Sequence, residues 1–269
     1  MGLDAAALSR AARRLGELWS TGSHVEELPV DERPSTLEEG WAIQRLLGDV
    51  AGPGIGWKIA STTAGSQALL GIDHPLMGTM YTDQLVASGS TVVCTRMPFI
   101  EAEVAVRIVG DMDRRRAPFG RADVLRHIGS LHAGLEMPDL RVGSITTTTA
   151  AMVTADFIAA GHYVVGPALD INPEDLARVQ AEVWRNGVIE AVGCGADVMG
   201  DPINALLWLA DALALRGHNL ADGDLVTTGA CAAIGDVRPG DRCLVSVAGC
   251  DMVELWMSGA EVDMLRVET

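Results

Sequence analysis

Lysine is nearly missing from this 269-residue chain: Lys58 is the only one, against 19 arginines. A sequence that fills its basic positions with arginine so consistently invites a reason for the single exception. An ammonium is a compact point charge that can release its proton when buried, whereas a guanidinium stays charged and needs a wide planar slot. The flanking run Gly54-Ile55-Gly56-Trp57-Lys58-Ile59-Ala60 is small, apolar and otherwise uncharged, which suits burial. Lys58 is therefore a candidate catalytic residue, with an exposed lysine that merely survived as the plain alternative.

Other shortages narrow the class. Basic residues number 20 against 36 acidic ones, a net charge of −16, which argues against a nucleic-acid partner because cationic contacts to phosphate dominate such binding. A small anionic substrate stays compatible, since a pocket holding a divalent cation can oppose the global field. No apolar run approaches the ~20 residues that span a bilayer. The opening Met1-Gly2-Leu3-Asp4 has neither the basic nor the apolar region of a signal peptide. The expectation is a cytoplasmic protein with no membrane partner. The five cysteines (Cys94, Cys194, Cys231, Cys243, Cys250) are odd in number and widely spaced, with no Cys-x-x-Cys pair. They read as small buried hydrophobes rather than a zinc site or a disulfide framework.

What is present divides into two textures. Residues 3–20 and Thr36 to about Val50 carry apolar residues at helical spacing, joined by a loop over 21–35 with Gly22, Pro29 and Pro34. Residues 1–50 thus read as a helical N-terminal segment, and 51–269 as a β-rich catalytic domain. In the latter, Val92–Cys94, Ile100–Val109, Tyr163–Val165, Leu225–Thr228 and Arg242–Val247 read as strands. Asn186-Gly187 signals a two-residue hairpin between Ala181–Arg185 and Val188–Val192. One helix interrupts, with Asp201 as N-cap, Pro202 at its first position and Gly217 past its end. Few crossover helices point to a mostly antiparallel or mixed β core rather than a doubly wound sheet. The threonines 146–149 and the alanine-rich 150–160 could form a strand or a mobile loop.

The second chemical feature is Glu101-Ala102-Glu103 within Ile100–Val109. Strand alternation puts Ile100, Ala102, Val104, Val106 and Ile108 on one face and both glutamates on the other. Carboxylates at i and i+2 stand roughly 6–7 Å apart, and at an effective dielectric near 20 they repel by about 3 kcal/mol. A solvated strand face, a shared proton or a divalent cation would each resolve this. Glu136 adds a third carboxylate in an apolar stretch ending at Pro138. Asp139 with Arg141 reads as a surface ion pair, and His132 as a core or surface residue that could approach the site. Three carboxylates without a cysteine or histidine cluster favour a hard ion, Mg²⁺ or Mn²⁺.

The order of motifs resembles the 2-keto-4-pentenoate hydratase and 4-oxalocrotonate decarboxylase group of the fumarylacetoacetate hydrolase superfamily. The resemblance runs over roughly residues 36–250. It is carried by Trp41-Ala42-Ile43-Gln44, Gly56-Trp57-Lys58-Ile59, Leu70-Gly71-Ile72-Asp73-His74-Pro75, Ile100-Glu101-Ala102-Glu103 and Leu135-Glu136-Met137-Pro138-Asp139-Leu140-Arg141. Met199-Gly200-Asp201-Pro202 and Gly223-Asp224-Leu225-Val226-Thr227-Thr228-Gly229 continue it. It implies an α+β fold with a β-rich rolled mixed sheet of fumarylacetoacetate-hydrolase type, a homo-oligomer and a short 2-keto acid substrate. It also implies magnesium, with manganese as the alternative, held by Glu101, Glu103 and Glu136 beside an active-site Lys58. Thr228-Gly229 looks like the loop at the substrate's carboxylate end.

Three departures bear on the reaction. Hydratases of the group often carry an acid where this chain has Leu76, a substrate-contact position that is also apolar in the decarboxylase branch. Phe157 follows Ala155-Asp156 and would put bulk where a small polar loop is usual, and Gly249-Cys250-Asp251 departs from a Gly-Ser-Val pattern. The expected activity is addition of water to a 2-hydroxy-dienoate, with a vinylogous decarboxylase second. A C–C hydrolase follows, lacking a placed His-Glu pair to activate water. A non-catalytic metabolite-binding protein on the same scaffold is the reading of another class.

Overall fold

Asp4 opens the first helix, α1 (Ala5–Thr21), by accepting the Ala7 N–H at 2.8 Å, and Gly22 closes it in the left-handed conformation. The second, α2 (Leu37–Ala51), starts from a reciprocal cap. Thr36 Oγ1 accepts the Glu39 N–H at 3.2 Å, while the Glu39 carboxylate accepts the N–H groups of Ser35 (2.6 Å) and Thr36 (3.3 Å). The same carboxylate also holds the Leu3 N–H at 2.6 Å, tying the start of the chain to α2. This computed structural model describes residues 2–51 and 53–259, so the end of the expected 51–269 region lies outside the described residues.

The strands form two mixed sheets, as the expected α+β fold with a β-rich mixed core requires. The six-stranded sheet has the order β2 (Leu76–Tyr81), β1 (Gly54–Ala60), β9 (Leu225–Ile234), β4 (Ile100–Ile108), β5 (Ile128–Met137), β6 (His162–Ala168). Only the β1–β9 pair in it is parallel. The five-stranded sheet runs β3 (Ser90–Val93), β11 (Val253–Ser258), β10 (Arg242–Val247), β7 (Gln180–Arg185), β8 (Val188–Cys194), with β3–β11 parallel. The sheets face each other across the main core, to which β4 contributes Ile100, Ala102, Val104, Val106 and Ile108. Those are the residues that strand alternation assigned to one face. The Asn186-Gly187 hairpin joins β7 to β8, with Asn186 at φ 52° and Gly187 at φ 83°.

Three short helices, α3 (Ala64–Leu70), α4 (Arg121–Arg126) and α5 (Ala150–Ala155), and the longer α6 (Pro202–Leu215) complete the fold. Asp201 caps α6 through the Ile203 N–H at 2.9 Å. The stretch Gly195–Leu215 is the one helical segment among the described residues long and apolar enough to cross a membrane, an exception to the sequence expectation. Of its most apolar 18 residues 56% are buried inside the protein, and α6 packs on β9 and the main core.

Residues 146–160 are neither strand nor loose loop. Thr149 caps α5 through the Met152 N–H, and every residue of α5 is buried. Phe157, Ile158 and Ala159 then turn back with positive φ of 47°, 50° and 57°. Phe157 packs edge-on against Trp19 at 5.1 Å and against Tyr81 at 5.0 Å, within the cluster that seats α1 and α2. The expected surface pair of Asp139 with Arg141 does not form. Arg141 is buried and donates to Asp156 at 2.8 Å and to the Ala160 carbonyl at 2.7 Å, while Asp139 takes His24 at 2.9 Å. The Trp19 ring face, whose centre lies 4.2 Å from the guanidinium carbon, attracts the cation and favours the inward position.

Candidate active site

Lys58 and the three glutamates converge because β9 lies between β1 and β4. Lys58 on β1 and Ala105 on β4 both register with Thr227 of β9, so side chains of one parity on the three strands share a face. On the far side of β4, Glu101 is the cross-strand partner of Glu136, and Glu103 is the partner of Gly134. Three carboxylates from two strands therefore meet, with one oxygen of each within 4.8 Å of the others. Lys58, 5% exposed, closes the group by donating from Nζ to Glu136 Oε1.

Burial sets the electrostatics. Glu103 is 1% exposed and Glu136 2%, while Glu101 stays partly open to a cavity. Loss of solvent raises the Glu101 carboxyl to about 7, helped by the charge of Glu136 and opposed by Lys58. Glu103 is pushed well above the usual range, first by burial and then by the charges of Glu136 and Glu101. Burial also raises Glu136, against the attraction of Lys58. The chain alone holds these groups at a cost that a divalent cation would relieve. Glu103 Oε2 and Glu136 Oε2 are buried without a hydrogen-bond partner, and an all-oxygen donor set suits a hard ion. The three residues fit a divalent metal.

The cavity in front measures about 350 Å³, the lower range for a small-molecule site. Lys58, Glu101 and Glu103 lie in its wall with Gly229 and Cys231 of β9. Its rim is polar, from Ser61, Thr62, Thr63, Ser66 and Asp197. None of these five was singled out in the sequence. The hydroxyl run Ser61-Thr62-Thr63 directly after the Lys58 strand was a usable signal; Asp197, in a single turn after β8, offered none.

The remaining candidates sort differently. Thr228-Gly229 is not a loop but the middle of β9, which bulges against β4 at Glu103. Thr228 is fully buried and its hydroxyl donates to the Val104 carbonyl at 2.9 Å, so it does not line the cavity. Gly229 does, at φ 104°, where a Cβ would come within 2.6 Å of Thr62 Oγ1; its N–H favours the ionised form of Glu103. Leu76 stands beside Ala60 across the β1–β2 pair, buried with Leu140, Val153 and Ile158, and lines a neighbouring cavity with Trp41 and Trp208 instead. Phe157 lines neither. His132 is held by Ser130 Oγ (2.9 Å) and the Gly166 carbonyl (3.2 Å), apart from the carboxylates. All five cysteines are free.

Residues 63–256 match the fumarylacetoacetate (FAA) hydrolase C-terminal family, and the chain belongs to it. Lys58 lies just outside that span. Within the family the chain is similar to 2-keto-4-pentenoate hydratase 1 of Dechloromonas aromatica, 33% identical over 198 residues, covering 72% of this chain and 74% of that one. It is also 27% identical to 4-oxalocrotonate decarboxylase of Pseudomonas putida over 79% of this chain and 81% of that one. Among solved structures, 4-oxalocrotonate decarboxylase from Pseudomonas putida G7, complexed with magnesium and adipate, superposes with a TM-score of 0.86 at 23% identity. That match covers 95% of this chain and 98% of the other and establishes the shared fold.

Proposed function

We propose that this protein is a lyase of the hydratase type, adding water to a short 2-hydroxy-dienoate or 2-keto-enoate with the help of a divalent metal. The observation that carries it is the meeting of Glu101, Glu103 and Glu136 with Lys58 at the base of a small cavity with a hydroxyl-rich rim. The names of the similar hydratases supply the substrate class. Magnesium is the proposed ion, with manganese second, and Glu101, Glu103 and Glu136 are its proposed holders. When bound there, it supplies a Lewis acid for the carboxylate and 2-oxo oxygens of a 2-keto acid.

The chain's own groups divide the remaining work. Lys58 Nζ, paired with Glu136, holds the proton that moves to or from the carbon beside the keto group. Gly229, lacking a side chain, lets Thr62 pack against β9 in the cavity wall, the end of the cavity proposed for the substrate's carboxylate. Ser61, Thr62, Thr63 and Ser66 with Asp197 line the rim, where they can hold a water against the distal carbon. Leu76, one residue behind the cavity wall, supplies apolar support rather than a water contact. A homo-oligomer in the cytoplasm is part of the same proposal.

The vinylogous decarboxylase is the second reading, favoured by the similarity to 4-oxalocrotonate decarboxylase; its CO₂ leaves without needing a nucleophile. Supplying 2-hydroxypenta-2,4-dienoate and 4-oxalocrotonate separately decides between them. Conversion of the first to a 4-hydroxy-2-keto acid, with no CO₂ released from the second, is the expected result. CO₂ release with the dienoate untouched reassigns the protein to decarboxylation.

A further inference from the structure

Tyr163 is one of only two tyrosines in the chain, and its hydroxyl is buried with no hydrogen-bond partner. The residue is 2% exposed. A buried, unmatched hydroxyl costs roughly 1–3 kcal/mol unless something meets it, so its surroundings identify what that is. Tyr163 on β6 is the direct partner of Glu136, so its ring rises from the same face as the carboxylates. It then leans over the next position of β5, Gly134. A Cβ built on Gly134 would lie 1.8 Å from the phenol oxygen. The ring therefore occupies the place of the side chain that Gly134 lacks.

Gly134 is in turn the cross-strand partner of Glu103. Directly opposed Cβ positions stand about 5 Å apart, which puts the phenol oxygen within reach of the Glu103 carboxylate. Glu103 Oε2 is itself buried and unpartnered. Glu103 is also the charged group with the largest effect on Tyr163, ahead of Glu136. Two unmatched polar atoms, one a donor and one an acceptor, thus belong to adjacent positions of one row.

We propose that Tyr163 is a positioning residue of the glutamate centre: its hydroxyl, unmatched in the metal-free protein, donates to Glu103 when that carboxylate turns to hold a divalent ion, and so fixes it there. The proposal rests on the metal reading given above and adds a residue outside its ligand set. Gly134 belongs to it as the slot that admits the ring.

Calorimetric titration of Mg²⁺ into wild type and Tyr163→Phe, with thermal melts of both metal-free proteins, tests it. Loss of a hydrogen bond behind a metal ligand weakens affinity by about 10–100-fold, and the lower end is expected here. Metal-free Tyr163→Phe should melt no lower than wild type, because it removes an unmatched buried hydroxyl and keeps the ring. Gly134→Ala, which displaces the ring, should weaken Mg²⁺ binding in the same direction. Equal Mg²⁺ affinity in wild type and Tyr163→Phe overturns the proposal and reduces Tyr163 to a space-filling ring. A wild type that takes up no Mg²⁺ rejects the metal reading itself, and this proposal with it.

Discussion

A single lysine among 19 arginines is explained by where it sits. Lys58 is enclosed, and its nitrogen meets one carboxylate oxygen of a group whose other members repel each other. A guanidinium in the same place keeps the charge but brings a planar fork into a slot shaped for a point, and it does not release a proton near neutral pH. Lys58→Arg is therefore expected to lose turnover nearly as completely as Lys58→Ala. A drop of about 10²–10⁴-fold fits the usual contribution of proton transfer by a positioned group. Steady-state consumption of the dienoate reads this directly, and an arginine variant close to wild type would leave Lys58 as a generic positive charge. At this scale the sequence was informative because the rare residue types were the chemical ones. It failed at Arg141, whose partner Asp156 is 15 positions away and becomes a neighbour only through the left-handed turn at Phe157–Ala159.

Elements were legible where their own residues carry the signal. The cap at Asp201, the Asn186-Gly187 turn and the alternation of β4 are local, and each forms where the residues indicate. Strands β1, β2 and β5 went unassigned because they show no alternation of polar with apolar residues, β2 and the second half of β5 being buried on both faces, whereas β11 alternates in burial and was missed all the same. Helix α5 is short and alanine-rich, and it is specified by the pocket it fills between α2 and β2 rather than by its own periodicity. The start of α2 yields a prediction. Glu39 accepts from Leu3, Ser35 and Thr36, which holds its carboxyl down at about 2 against an ordinary value of 4.5. A depressed carboxyl contributes stability above its unfolded value, and that contribution is lost as pH falls from about 4.5 toward 2. Glu39→Gln should lower stability by about 1 kcal/mol at neutral pH, the usual worth of a cap. Denaturant melts should show the difference from wild type shrinking through that acid window; a constant difference would remove Glu39 from the cap.

For the whole molecule the carboxylate group acts in the opposite sense. Glu101 is raised to about 7 in the folded protein, so the fold binds a proton there that the unfolded chain gives up near 4.5. Metal-free stability should therefore fall as pH rises across about 4.5 to 7, in the direction that a net charge of −16 also pushes. Magnesium should reverse this, binding more tightly at pH 8 than at pH 6, and at a hundred times its dissociation constant adding about 2.7 kcal/mol. Thermal melts at both pH values, with and without the ion, check the pair; no shift on adding magnesium would contradict it. The division into two sheets was not legible, since β1 joins β9 and β3 joins β11 across more than 160 residues, contacts that local pattern does not encode. The solitary, enclosed Lys58 has one more consequence, for labelling chemistry. With no lysine on its surface, the folded protein offers acylating and aldehyde reagents no side-chain amine except the one at the base of the cavity. A reagent small enough to enter would add one side-chain mark to each molecule, separable by peptide mapping from any on the α-amino group, and protection of that mark by a bound ligand becomes a measure of occupancy.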